Sequence, residues 1–183
     1  MKKILLGAFL ACMLGTNFSC KKASQKKEDI KEIIVEETID ESVFKVVLDV
    51  IINNDEKFQM YYLEHGDTKW NQKKRIPKLV KGNTQPQLVE FNIPEKIFPS
   101  KLLFDFGENK TEENITINSV SLSYEDFKLN LTPQEFYAFF TPNKYIKYNK
   151  ETGVMNCISV DGKYDPHFKS RPVFDKKLEL EER

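Results

Sequence analysis

The sequence predicts a mainly β fold: an antiparallel β-sandwich of the jelly-roll kind with one short helix. Three observations predict it. Apolar residues recur at a spacing of two in short runs, Pro, Gly, Asn and Asp interrupt those runs at intervals of roughly 8 to 12 residues, and one segment alone carries strong helix signals. Such a pattern suits about eight strands in two facing sheets, and no repeat of fixed period competes with it.

The clearest strand is 43–53, where Phe44, Val46, Leu48, Val50 and Ile52 alternate with Lys45, Val47, Asp49, Ile51 and Asn53. One set faces a core and the other faces away. Asn53-Asn54-Asp55 supplies turn residues, after which 57–63 reads as a partner strand. Alternation lets only one of Tyr61 and Tyr62 point at the core. Further strands are expected at 87–93, 101–106, 115–117, 120–124 and 127–131. Ile115 and Ile117 hold odd positions while Val120, Leu122 and Tyr124 hold even ones, a phase slip that calls for a β-bulge or break near Asn118-Ser119.

The helix begins at Thr132-Pro133-Gln134-Glu135, which offers an N-cap, a proline at the first helical position and a carboxylate three residues past the cap. It should end near Phe140, before Thr141-Pro142. Two more strands, 144–149 and 154–160, flank Lys150-Glu151-Thr152-Gly153, a hairpin connection with glycine where a positive φ is wanted. Residues 164–168, Y-D-P-H-F, form a turn by their Asp-Pro step and close one end of the fold. The stretch 30–39 reads equally as strand or helix. Domain boundaries follow: a signal peptide at 1–19, a lipidated cysteine and tether at 20–41, the β-sandwich at 42–175 and a charged tail at 176–183.

The amino-terminal assignments rest on Lys2 and Lys3 followed by the apolar run 4–14 and by Gly15, Thr16, Asn17 and Ser19. Those are the parts of a signal peptide in their usual order. A spanning helix needs roughly 20 apolar residues, so this run is too short for a permanent anchor. The segment N-F-S-C ending at Cys20 resembles the lipobox of bacterial lipoproteins, in which the cleaved bond precedes a cysteine that accepts diacylglycerol. Asn17 departs from the leucine usual there, and an ordinary signal with a chance cysteine is the alternative. The resemblance implies a palmitate-bearing protein held in the bacterial cell envelope, at the outer membrane, with the membrane itself as partner through lipid on Cys20. Residues 21–32, KKASQKKEDIKE, are too polar to bury surface and read as a tether. Within them, Lys27-Glu28-Asp29 is similar to a short surface-export signal of Bacteroidetes lipoproteins, with a solvated charge run as the plain alternative.

Charge and cysteine usage narrow the function. Removing 1–19, with Lys2 and Lys3, leaves 164 residues carrying 26 basic and 28 acidic side chains. That balance, with no basic stripe, disfavours nucleic acid as a partner. Cys12 leaves with the signal and Cys20 with its lipid, so Cys157 cannot build a disulfide framework. No phosphate loop, H-E-x-x-H, G-x-S-x-G or C-x-x-C is present. A Cys157 nucleophile with His65 or His167 as base is weaker than a buried, inert thiol on the strand around Met155-Asn156-Cys157. A glycosidase leaves no fixed spacing to search for; the expectation is nonetheless a protein that is not an enzyme and carries no cofactor.

A resemblance bears on what the domain binds. L-L-F-D-F-G at 102–107, a polar loop and I-T-I-N-S-V-S-L at 115–122 are similar to a pattern in carbohydrate-binding-module-like jelly rolls of Bacteroidetes lipoproteins; F-Q-M-Y-Y at 58–62, Trp70, Val89-Glu90-Phe91 and Ile93-Pro94 fit the same order. It spans 43–131 and supports fold better than activity. Glycan binding needs exposed aromatic faces beside hydrogen-bonding side chains. Candidates are Trp70, Tyr62 or its neighbour Tyr61, Tyr164, His167, Tyr145 and Tyr148, although an aromatic residue of a sandwich more often fills its core. Trp70 leads them because Asp67, Lys69, Asn71 and Gln72 around it are polar. The loop with Asp105, Glu108, Asn109, Glu112, Glu113 and Asn114 has hard oxygen ligands suited to structural Ca²⁺, but in no calcium-motif spacing, and a solvated turn is the favoured reading. Two functions of different class remain: a non-catalytic glycan-binding module, and a structural or protein-binding envelope lipoprotein with no sugar ligand.

Cells fed labelled palmitate should incorporate it into this chain, and Cys20→Ala should abolish the label. A Cys20→Ala chain that still carries label would refute lipidation at this residue.

Overall fold

The computed structural model describes residues 42–109 and 113–182, with the side chain of Glu113 outside the description. Cys20, the signal segment, the tether and 30–39 lie outside the described residues. Eleven strands and two short helices are described: β1 Lys45–Ile52, β2 Glu56–Leu63, β3 Arg75–Val80, β4 Asn83–Asn92, β5 Lys101–Asp105, β6 Glu113–Tyr124, β7 Phe127–Leu131, α1 Pro133–Phe139, β8 Phe140–Pro142, β9 Ile146–Tyr148, β10 Val154–Cys157, β11 His167–Ser170 and α2 Pro172–Glu181. The strands form two antiparallel sheets in a sandwich-like arrangement. One runs β4-β1-β6-β10-β9 with β7 also on β6; the other runs β3-β2-β5-β11-β8.

Alternation builds the core that the sheets share. In β1 the even positions from Val46 to Ile52 are at most 1% exposed while the odd ones are half-buried. β6 organises the first sheet. Its twelve residues carry β1 along one edge and both β10 and β7 on the other. The anticipated phase slip is present: Asp49 pairs with Ser119 but Val50 with Ile117, which leaves Asn118 as the bulged residue. The Asn118 amide donates to Asp49 Oδ1 at 3.1 Å, so the bulge lets both Ile117 and Val120 face inward.

Phenylalanines tie the helices to the second sheet. Phe136 of α1 lies 4.8 Å from Phe140 and 4.9 Å from Phe168 between ring centroids, and Phe140 lies 4.7 Å from Phe174 of α2. The α1 capping box forms as its sequence requires, with the Glu135 amide donating to Thr132 Oγ1 at 3.3 Å and the Thr132 amide to Glu135 Oε2 at 2.9 Å.

Four local expectations change. The strand after Asn53-Asn54-Asp55 forms but does not pair with β1; the turn carries the chain into the other sheet, so both strands bury their apolar faces in one core. The charged tail is instead α2, which starts at Pro172 and buries Phe174 and Leu178 completely. Those two residues are one helical turn apart, and a single stripe of that width is easily hidden among lysines and glutamates. The 164–168 turn gives way to a strand at His167, and β10 ends at Cys157, short of the expected 160. Cys157 is itself buried.

The 150–153 connection behaves as its residues demand. Asn149 Oδ1 accepts from the amides of Glu151 and Thr152, and Gly153 has φ +73°. A Cβ at Gly153 would also overlap the Ile117 carbonyl oxygen. Gly153→Ala should therefore lower stability by about 2–4 kcal/mol in urea unfolding; a change below about 0.5 kcal/mol would contradict this account of the turn.

Candidate functional site

Inward packing of the second sheet decides what its outer face displays. Phe58, Met60 and Tyr62 of β2, Leu102 and Phe104 of β5 and Phe168 of β11 are buried in the core, so their neighbours in the chain point outward. Strand register sets those neighbours in two rows. Tyr61, Leu103 and Lys169 are successive partners in one row, and Gln59, Asp105 and His167 in the next. Tyr61, Leu103, Asp105 and His167 form part of a groove of about 290 Å³. Trp70, Asn71 and Gln72 supply another part of its lining from the loop after β2, and Asp165 another from the segment before β11.

The Trp70 loop is fastened by residues outside the groove lining. Asp67 Oδ2 accepts from the Glu64 amide at 2.9 Å, and the Lys74 ammonium pairs with both Asp67 and Glu64, the latter at 2.7 Å. The Lys74 hydrogen bond holds the Asp67 carboxyl below its ordinary range, helped by the Glu64 amide. Asn71 caps a single 3-10 turn at Gln72–Lys74 by accepting from the Lys73 amide at 2.9 Å. Trp70 is half-buried, and the Lys169 ammonium lies 5.9 Å from the centroid of its ring, a cation–π distance.

Asn143 orients His167. Its Oδ1 accepts from the amides of Tyr145 at 3.1 Å and His167 at 3.4 Å, which turns its NH₂ to His167 Nδ1 at 2.9 Å. An amide nitrogen only donates, so Nδ1 accepts and the neutral ring carries its proton on Nε2. Asp165 Oδ1 lies 3.4 Å from the same Nδ1.

Asp105 is the strained member. Burial pushes its carboxyl up to about 6, with Asp165, Glu108 and Glu56 adding like charge, while the Gly107 amide donating at 3.2 Å opposes the rise. Gln59, which is only 2% exposed, donates to Asp105 Oδ2 at 3.2 Å and to Glu108 Oε1 at 3.1 Å, and its own carbonyl accepts from Arg75 at 2.9 Å.

Of the residues singled out from sequence, Trp70 and His167 meet in this groove. Tyr62 does not: it is 5% exposed and belongs to the core, and Tyr61 takes the outward place because the strand alternates. Tyr164 also lies outside the groove lining and packs against the core, with Asp165 lining the groove instead. Tyr145 is buried, and Tyr148 is half-buried with its hydroxyl donating to the Pro133 carbonyl at 3.1 Å. Sequence reasoning missed Leu103 and put Asp105 with the acidic loop, although the alternation within 101–106 carries the signal for both as outward positions. The described part of the proposed calcium loop engages protein partners. Glu108 pairs with Lys57 at 2.9 Å, the Asn109 amide donates to the Asp55 carbonyl at 3.1 Å, and Asn114 accepts from Asn156. Glu112 and the Glu113 side chain lie outside the described residues. Among the described residues no group of three or more His, Cys, Asp or Glu is placed to hold a metal ion, and no helix is long and apolar enough to cross a membrane.

Compared with protein-family models, curated proteins and solved structures, the chain matches none.

Asp105 yields a stability prediction with a definite sign. Its folded value, about 6, exceeds the ordinary 3.8, so its contribution is most favourable below pH 4 and is lost as pH rises through 6. Asp105→Asn should therefore gain on the parent between pH 4 and pH 7.5 by on the order of 2 kcal/mol in urea unfolding. A gain that is flat or falls with pH would show that the carboxylate is not destabilised by its site.

Proposed function

We propose that this protein is a lipid-anchored lipoprotein of the bacterial cell envelope, tethered to the outer membrane through Cys20, whose domain is a non-catalytic glycan-binding module. The observation that carries the binding reading is the groove itself, in which Trp70 and Tyr61 bring aromatic rings together with Asn71, Gln72, Asp105, Asp165 and His167. Sugar rings offer apolar C–H faces to aromatic planes and a belt of hydroxyls to amide, carboxylate and imidazole groups, and shallow grooves that mix both chemistries suit them. In support of a jelly-roll wiring, the chain passes repeatedly between the sheets: β1, β4 and β6 lie in one, β2, β3 and β5 in the other.

A second reading, a protein-binding envelope lipoprotein with no sugar ligand, draws on two side chains. Leu79 on β3 and Leu88 on β4 are 84% and 73% exposed. Both strands are sheet edges, and exposed apolar residues at an edge suit pairing with another chain.

Titration calorimetry of the full chain against an oligosaccharide panel separates the two. Binding should appear, and Trp70→Ala and Tyr61→Ala should each weaken it roughly tenfold or more, about 1.4 kcal/mol, while Leu79→Ser with Leu88→Ser leaves it unchanged. Binding that survives loss of both aromatics would remove the groove as the sugar site. No binding to the panel, with association in native mass spectrometry that the leucine variants abolish, would favour the second reading.

A further inference from the structure

The side-chain charges that line the groove are weighted to one sign. Asp105 and Asp165 both contribute to the lining, and among the described residues no lysine or arginine does. Three cations of the same sheet face and loop have other partners: Lys57 pairs with Glu108 at 2.9 Å, Lys74 with Glu64 and Asp67, and Arg75 donates to Gln59 at 2.9 Å; Lys69 and Lys73 of the loop are exposed and outside the lining. Lys169 lies at the Trp70 ring. A carboxylate accepts from two neighbouring hydroxyls at once, and such charge-assisted bonds are the strong ones. The same carboxylates repel an acid, and a groove closed off from bulk water on one side screens that repulsion less than open surface does.

We propose that the groove selects uncharged, diol-bearing sugar units and turns away glycans that carry carboxylate or sulfate groups, with Asp105 and Asp165 as the residues that set the selection. The inference rests on the glycan-binding reading and gives it a ligand class. Like-charge exclusion of this kind is how a site discriminates between ligands of equal shape.

Acidity supplies an internal control. Facing Asp105 are Gln59 and Glu56 from β2, His167 from β11, Asp165 from the preceding segment and the Gly107–Glu108 corner, with Lys57 and Arg75 reaching it only through Glu108 and Gln59. Asp105 passes through half-protonation near pH 6, so the repulsion weakens below that pH.

The full chain is titrated with neutral hexasaccharides of glucose, xylose and mannose and with hexagalacturonate, at pH 7.5 and pH 5. At least one neutral hexasaccharide should bind, hexagalacturonate should bind at least tenfold more weakly than the best of them at pH 7.5, and the gap should narrow at pH 5. The Asp105→Asn, Asp165→Asn double variant, checked for folding by circular dichroism, should close most of the gap at pH 7.5 by raising affinity for hexagalacturonate. A gap below tenfold in the parent, or one that the double variant leaves unchanged, overturns the charge selection while leaving glycan binding intact. Failure of every hexasaccharide, neutral and acidic, overturns the glycan-binding reading and the selection with it.

Discussion

Successive side chains of a β-strand cannot share a face, and across β2, β5 and β11 this constraint makes the core and the groove two sides of one commitment. Phe58, Met60, Tyr62, Leu102, Phe104 and Phe168 enter the core, each at most 5% exposed. Full burial of a large apolar side chain contributes about 1.5–3 kcal/mol. A slip of one residue in any of the three strands would expose that set and drive Gln59, Asp105 or His167 into hydrocarbon. The groove needs no separate device to bring Tyr61, Leu103, Asp105 and His167 together, since apolar packing on the opposite face fixes their register.

Segments outside the sheet finish the site, and each is held by polar contacts. The Trp70 loop is closed by Lys74 on Glu64 and Asp67, and the Asp165 side is held by Asn143, whose amide nitrogen also donates to the Asp165 carbonyl. β8 places Asn143, and β8 is in turn fixed by Phe140 within the ring cluster of Phe136, Phe168 and Phe174. A helix that the sequence disguised as a charged tail thereby packs behind β8, with Phe174 against Phe140 and both Phe174 and Leu178 wholly buried.

What could be read in advance divides along physical lines. Strands with clean alternation, such as β1, and the bulge at Asn118 were legible because one face of each strand is buried and the parity of its apolar residues records it. α1 was legible because its cap is local chemistry. β3 was not, since it is an edge strand with Pro77 and an exposed Leu79, and a proline can sit there at no cost to the ladder. β8 and β11 are too short to show a period. At the site, Trp70 and His167 could be named from residue type, whereas the choice between Tyr61 and Tyr62 needed the side on which the core lies. Asp105 could be named as an acid but not placed, because only the pairing of β5 with β11 sets it beside His167.

The network around Asp105 shows where this surface departs from what stability alone would choose. Arg75 fixes the Gln59 carbonyl, which turns the Gln59 NH₂ toward Asp105 and Glu108, and the Gly107 amide donates to Asp105 as well. Those donors offset only part of the burial penalty, because the carboxyl still stands at about 6. An asparagine of the same size could accept from Gly107 without carrying a charge into a half-enclosed site. Keeping the acid there costs the folded state something at neutral pH, and groups kept at such a cost cluster where a protein meets its ligands. The groove thus stands out twice, once for its aromatic faces and once for a carboxylate whose charged form its surroundings disfavour.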